Sequence, residues 1–104
     1  MAWLILVASG LLEAVWAVSL GKSEGFTKPA PTILFGVALV LSMGGLAYAM
    51  REISTGTAYA VWVGIGASLT VAYGMAFGAE SVSWLKILLI TVLIGCVVGL
   101  KFVE

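Results

Sequence analysis

Residues 2–20 read AWLILVASGLLEAVWAVSL, and this stretch decides what kind of fold the chain adopts. A segment of about 20 predominantly apolar residues is long enough to cross the hydrocarbon core of a bilayer as one helix. No basic residue precedes the segment, Glu13 and Trp16 interrupt its apolar run, and no small-residue cleavage site leads into a soluble body. These features argue against a secretory signal peptide and predict a retained transmembrane helix.

Three further stretches, residues 29–50, 53–79 and 87–100, carry no charge. With the first segment they predict four transmembrane helices, over about 2–20, 31–50, 56–77 and 83–102, so that residues 1–104 form a single four-helix transmembrane domain. The chain is 62% hydrophobic and 10% charged, with a mean hydropathy of +1.21, whereas soluble domains usually have about 25% charged residues. Because the apolar runs are continuous and do not alternate, transmembrane strands are excluded.

The connections between the predicted helices are short and rich in turn-forming and capping residues. Gly25 and a proline fall in the first connection and favour a turn. Ser54 or Thr55 is placed to cap the third helix, and Ser81 or Ser83 to cap the fourth. No connection is long enough for a soluble domain, so function must lie in or at the membrane.

The composition excludes several classes of function. The chain has no histidine and a single cysteine, Cys96, so it offers no intrachain disulfide and no metal-binding spacing, and we predict neither a metal nor a cofactor. Without a nucleophile–base pair an enzyme is the least favoured class. Net charge is zero and there is no basic run, so we expect no nucleic-acid partner.

The basic residues give almost no preference for one orientation in the membrane. Four spans place Arg51 and Lys101 on one side, and Lys22, Lys28 and Lys86 on the other. Two positive residues against three is a weak bias under the positive-inside rule. One reading is a single orientation that the count does not reveal. The other, which we favour, is that both orientations are made and pair antiparallel.

Glu13 is the candidate functional group, because it places a carboxylate inside the hydrocarbon. A charged side chain there costs about 2.5 kcal/mol or more, and such residues are functional-site candidates by default. Gly10 and Trp16 lie three residues to either side, so they share its helix face. Gly10 permits close approach of a backbone or a ligand, and Trp16 offers a ring face to a cation. A structural polar contact between helices is the alternative role for Glu13.

The predicted third helix carries two aromatic residues and two glycines of interest. Tyr59 and Trp62 are three apart and share a face, and the Tyr59 hydroxyl can donate to a carboxylate. Gly64 and Gly66 are costly in a helix unless they are used. They favour either close helix packing or a bending point in a moving helix.

Ser42 is the only hydroxyl between Thr32 and Tyr48 in the second predicted helix. It can hydrogen-bond Glu13 or the carbonyl four residues before it.

The fourth predicted helix contains Gly95 and Gly99, a GxxxG step in an apolar segment. Such a step lets two helices approach closely and is a moderate signal for dimerisation. We therefore interpret this helix as an assembly helix.

One carboxylate per chain makes a poor proton relay, whereas a dimer would bring two Glu13 side chains to a shared cavity. Two like charges in a low dielectric would hold at least one proton near neutral pH. A permeating cation could relieve the same repulsion. Protons and cation would then compete for one site, which is the physical requirement for antiport.

The combined motifs resemble the small multidrug resistance family over the whole chain. They are Gly10-x-x-Glu13-x-x-Trp16-Ala17, Gly25-Phe26-Thr27 and Gly56-Thr57-Ala58-Tyr59-Ala60-x-Trp62-x-Gly64-x-Gly66. Within the family, Gly10 and Trp16 beside Glu13, with the aliphatic Leu39 in the second helix, resemble the guanidinium exporter subtype.

This resemblance implies an antiparallel homodimer in a bacterial inner (plasma) membrane that exports guanidinium, or a small guanidinyl cation, in exchange for protons. Glu13 of both subunits would bind the proton and the substrate. By match to the motif, the site would be lined by Gly10, Trp16, Ser42, Tyr59 and Trp62. Gly95 and Gly99 would form the dimer contact. We hypothesise that two protons exchange for each monovalent cation.

Two departures from the family pattern leave alternatives open. Ser54 stands where related sequences often have proline, and Val63 follows Trp62 where many have a small hydroxylated residue. The second departure bears on the substrate, so a broader exporter of quaternary ammonium or substituted guanidinium compounds is the alternative function. A heterodimer with a paralogous subunit and an accessory subunit without transport are two further possibilities.

Overall fold

The computed structural model of the protein describes residues 1–78 and 80–103. These residues form four α-helices, α1 (Ala2–Lys22), α2 (Pro29–Ala49), α3 (Thr55–Ala76) and α4 (Trp84–Val103). Each helix has 20 to 22 residues and is therefore about 30 Å long, the thickness of the hydrocarbon core. The predicted all-α fold, with four helices long and apolar enough to cross a membrane, is confirmed. Ala79 and Glu104, which the predicted domain includes, lie outside the described residues.

Prolines and serines mark the helix ends. α2 begins at Pro29, two residues before the predicted span, and has proline in its first turn, where a missing N–H breaks no intrahelical bond. Ser23 ends α1, because its hydroxyl donates to the Leu20 carbonyl at 2.7 Å. At α4 the Lys86 amide donates to the Ser83 hydroxyl at 3.1 Å, which confirms Ser83 as a cap.

α1 lies between α2 and α3 and packs closely on both. A Cβ at Gly45 of α2 would fall on the hydroxyl of Ser9 in α1. A Cβ at Gly10 of α1 would lie 2.8 Å from Cγ2 of Ile65 in α3. Glycine at these two positions therefore allows the close helix approach that is common in membrane proteins.

The buried apolar residues cluster at one end of the bundle. The buried cluster comes from the first half of α1, the end of α2 with the following loop, and the first half of α3: Ala2, Leu6, Leu46, Ala49, Ile53, Ala58, Val61 and Trp62. At the other end the same three helices border a cavity of about 740 Å³, whose lining includes Ala14, Lys22, Pro31 and Tyr73. Glu13 lies between the packed end and this cavity.

α4 packs on the outer side of α3 and leaves most of its own surface open. Val97 of α4 lies where a Cβ at Gly64 would be, and none of the described residues of α4 is buried. Gly95 and Gly99 face open space in the single protomer. The protomer measures 40 × 33 × 17 Å. Its smallest dimension is less than two helix diameters of about 10 Å each, so the protomer is a thin slab. The assignment of Gly95 and Gly99 to a dimer contact stays a prediction.

Candidate functional site

The Glu13 carboxyl lies against the backbone of α3 at Gly66. A Cβ at Gly66 would lie 2.7 Å from Glu13 Cγ and nearer still to Cδ and Oε1. Glu13 Oε1 is buried and accepts no hydrogen bond within the part of the chain that the structure describes. A carboxylate oxygen in this state has its acceptor capacity available for a proton or for an N–H donor from outside the described residues.

Aromatic rings lie next to the Glu13 face of α1. The Trp16 ring centroid is 6.4 Å from that of Trp62, and Trp62 lies 5.9 Å from Tyr59. Both spacings fall within the range of interacting aromatic pairs. The Tyr59 side is open, with that residue 55% exposed. The site residues Trp16, Tyr59 and Trp62 therefore come together in one continuous row of rings.

Trp16 has an unpartnered polar atom of its own. Its Nε1 is buried and donates no hydrogen bond to any described residue. Trp16 follows Glu13 by three positions on the same helix face. One acceptor and one donor on this face are thus both without hydrogen-bond partners among residues 1–78 and 80–103.

Ser42 bonds to partners that differ from both of those predicted. Its hydroxyl donates to the Ser9 carbonyl of α1 at 2.7 Å and accepts from Trp62 Nε1 at 3.0 Å. A hydroxyl has one hydrogen to donate, so the predicted bond to Glu13 or to the carbonyl of its own preceding turn is wrong. The reason is the close approach of α1 to α2 at Gly45, which brings the Ser9 carbonyl within reach. Ser42 joins three helices and fixes the indole of Trp62.

The comparison with protein families matches this chain to the Small Multidrug Resistance protein family over residues 1–93. The chain belongs to the small multidrug resistance family. Its four spanning helices make it a multi-pass membrane protein.

Several relatives within the family are similar over nearly their full length. The chain is 46% identical to the "Guanidinium exporter" of Yersinia pseudotuberculosis serotype I (strain IP32953), over 97% of each chain. It is 44% identical to the "Guanidinium exporter" of Proteus vulgaris, again over 97% of each. For the protein of the same name in Citrobacter freundii the identity is 41%, over 97% of this chain and 96% of the relative.

The helix-three glycines of this small multidrug resistance protein have separate neighbours. Gly64 faces Val97 of α4, whereas Gly66 faces Glu13 of α1. Both positions serve close approach, one of the two roles predicted for them. The other role, a bending point, stays a prediction.

Phe35 is a neighbour of the site that sequence reasoning did not identify. Its ring lies 6.0 Å from Trp16 in an edge-on arrangement, with an angle of 74° between the planes. Phe35 precedes Ser42 by seven residues, and this spacing returns to the same helix face. This spacing of seven residues from Ser42 is the sequence signal that would have predicted Phe35 as a neighbour of the site.

Among the described residues, no group of three or more acidic, cysteine or histidine side chains is close enough to hold a metal ion. The polar groups of the candidate site are one carboxyl, two hydroxyls and two indole nitrogens, and they lie among aromatic rings. This set suits an organic cation that has both N–H donors and a flat face.

Proposed function

We propose that the protein exports guanidinium in exchange for protons, as an antiparallel homodimer in a bacterial inner membrane, with residues 1–104 acting as one transmembrane domain. Glu13 of each subunit would bind both the proton and the substrate. The observation that carries this proposal is the placement of Glu13, the single acidic residue within α1–α4, with its buried Oε1 unpartnered among the described residues. The names of the relatives support the choice of cation.

The chemistry of the site favours a guanidinium group. Guanidinium is planar, presents paired N–H donors that match a carboxylate, and stacks on aromatic faces. Glu13 would accept the N–H donors, and the rings of Trp16 and Trp62 would cover the cation's face. Ser42 contributes by holding the Trp62 indole through the bond at 3.0 Å, and Tyr59 would close the open edge.

Three features support assembly as an antiparallel homodimer. α4 has no buried residue in the described part of the protomer, and Gly95 and Gly99 on it face open space. The unpartnered Glu13 Oε1 and Trp16 Nε1 lie on one face of α1, as expected of a site that a second copy completes. The nearly even distribution of basic residues between the two sides suits insertion in both orientations.

Coupling between proton movement and cation movement follows if two Glu13 carboxyls share one cavity of low dielectric. Repulsion between two charged carboxylates favours protonation when the site is empty. A bound cation stabilises both charges and drives the protons off. Exchange of two protons for one monovalent cation would move net charge across the membrane.

The test is transport by the purified protein in liposomes. Guanidinium applied under a proton gradient should give currents, and the reversal potential should fit two protons per cation. The Glu13→Gln variant should give no current, whereas Glu24→Gln, which changes an exposed loop carboxylate paired with Lys28, should behave as wild type. Currents with tetraalkylammonium ions and none with guanidinium would favour the broader exporter. Full activity in Glu13→Gln would refute the proposed site.

A further inference from the structure

Gly66 lies against the carboxyl group of a residue on another transmembrane helix. Glycines in such helices generally admit the backbone or an aliphatic side chain of another helix, and Gly10 and Gly64 do so here with Ile65 and Val97. At Gly66 the three heavy atoms that a Cβ would meet first are Oε1, Cδ and Cγ of Glu13. The space that a side chain would fill is occupied by the carboxyl group.

The contact matters because it involves the carboxyl end of Glu13, which would bind the proton and the cation. Glu13 Oε1 is buried and has no hydrogen-bond partner among the described residues, so packing and not a hydrogen bond holds it beside α3. Gly66 is itself buried. An added methyl group would compete with the carboxyl for the same volume, and the carboxyl would have to move away from α3.

We infer that Gly66 is a positioning residue for Glu13: the missing side chain on α3 creates the space that holds the carboxyl where proton and cation bind. This inference rests on the proposed function for its transport consequences. Its structural part, that residue 66 sets the position of the Glu13 carboxyl, rests on the contact alone. The role differs from that of Gly64, whose neighbour is on α4.

The test compares Gly66→Ala with two matched glycine variants. Gly64→Ala adds the same methyl group two residues away, where it would meet Val97 and disturb the packing of α3 on α4. Gly36→Ala adds it in α2 at a position with open space. Each purified variant is titrated with acid. Because the chain has five acidic side chains, the infrared absorption of protonated carboxyls is taken as the difference from the same variant carrying Glu13→Gln, and this difference gives the pH at which Glu13 is half protonated. Guanidinium affinity is measured on the same samples.

Gly66→Ala should move the pH of half protonation by about half a unit or more and lower guanidinium affinity about tenfold, the effect of modest overpacking. Gly64→Ala and Gly36→Ala should leave the pH of half protonation where it is. An unchanged titration of Glu13 in Gly66→Ala would overturn the inference, even if transport or thermal stability fell, because Gly66 would then serve packing alone.

A double-mutant cycle with Glu13→Ala separates the contact with the Glu13 side chain from general overpacking. Alanine removes Cγ, Cδ and Oε1 of Glu13, the three atoms nearest to an added Cβ at Gly66, so Gly66→Ala should shift the detergent fraction of unfolding by less than about half as much in that background as in wild type. If Gly66→Ala folds only together with Glu13→Ala, the clash with the Glu13 side chain is confirmed. If it folds in neither background, the methyl group meets something else and the inference fails.

The outcomes also separate this inference from the proposed function. Wild type that binds no guanidinium would refute the proposed function, and the infrared titration would still test Gly66. Wild type that binds guanidinium, with a Glu13 titration that is the same in wild type and Gly66→Ala, would refute only the role of Gly66.

Discussion

Replacing Ser42 with alanine should destabilise the bundle more than replacing any serine that makes no bond between helices. The Ser42 hydroxyl is fully buried, donates to the Ser9 carbonyl at 2.7 Å and accepts from Trp62 Nε1 at 3.0 Å. The substitution removes both bonds and leaves the indole N–H of Trp62 without an acceptor. Interhelical hydrogen bonds in membranes contribute about 0.6 kcal/mol on average and up to about 1.7 kcal/mol. Two of them give an expected loss of about 1–3 kcal/mol.

Ser68 provides the matched control, because it is also a buried serine in a transmembrane helix. It is 3% exposed, and its hydroxyl has no hydrogen-bond partner among the described residues. Ser68→Ala therefore removes a hydroxyl of the same size without breaking a bond. An unpaired buried polar group carries a desolvation cost, so the free energy of unfolding should stay the same or rise slightly.

The assay is unfolding in mixed micelles, with increasing sodium dodecyl sulfate, followed by tryptophan fluorescence. Trp62 is one of four tryptophans in the chain, and because it loses its hydrogen-bond acceptor, the emission of folded Ser42→Ala should also differ from that of wild type. The reasoning would be refuted if Ser42→Ala and Ser68→Ala unfolded at the same detergent fraction.

Three further predictions concern packing, the first loop and pH. In the same unfolding assay Gly45→Ala should cost about 1–3 kcal/mol, because its methyl group would overpack against the Ser9 hydroxyl. Gly44→Ala, which meets open space, should instead stabilise by up to about 1 kcal/mol through helix propensity; equal shifts would contradict this. Gly25→Ala should destabilise by about 1–2 kcal/mol, because its φ of +73° disfavours a side chain, and no change would contradict that strain. Guanidinium affinity, measured by calorimetry, should fall about tenfold per pH unit for each proton that competes at Glu13 as pH is lowered; a flat profile would show that the two do not compete.

The four helices could be predicted because a transmembrane helix is encoded locally. Uncharged runs of about 20 residues are readable without knowledge of their neighbours, and cap signals such as Ser83 act within one turn. The helix ends are less well determined by hydropathy alone. α2 starts at Pro29, because the first turn of a helix accepts proline, although apolarity alone suggested a start at 31.

Residues for a candidate site could be proposed from the sequence, whereas the hydrogen bonds among them could not. Glu13 is identifiable from its cost in hydrocarbon, and Tyr59 and Trp62 from their spacing of three residues. The partners of Ser42 come from residues 33 and 20 positions away and depend on how closely α1 approaches α2 at Gly45. Periodicity shows which residues share a face, but it does not show the distance between two faces.

The most direct test of a shared site for proton and cation is proton release on substrate binding. Purified protein in detergent, in a weakly buffered solution with a pH-sensitive dye, receives guanidinium chloride, with sodium chloride as the ionic control. Wild type and Glu24→Gln should release protons in proportion to the guanidinium bound, and Glu13→Gln should release none. Proton release from Glu13→Gln equal to that of wild type would contradict a site in which guanidinium displaces protons from Glu13.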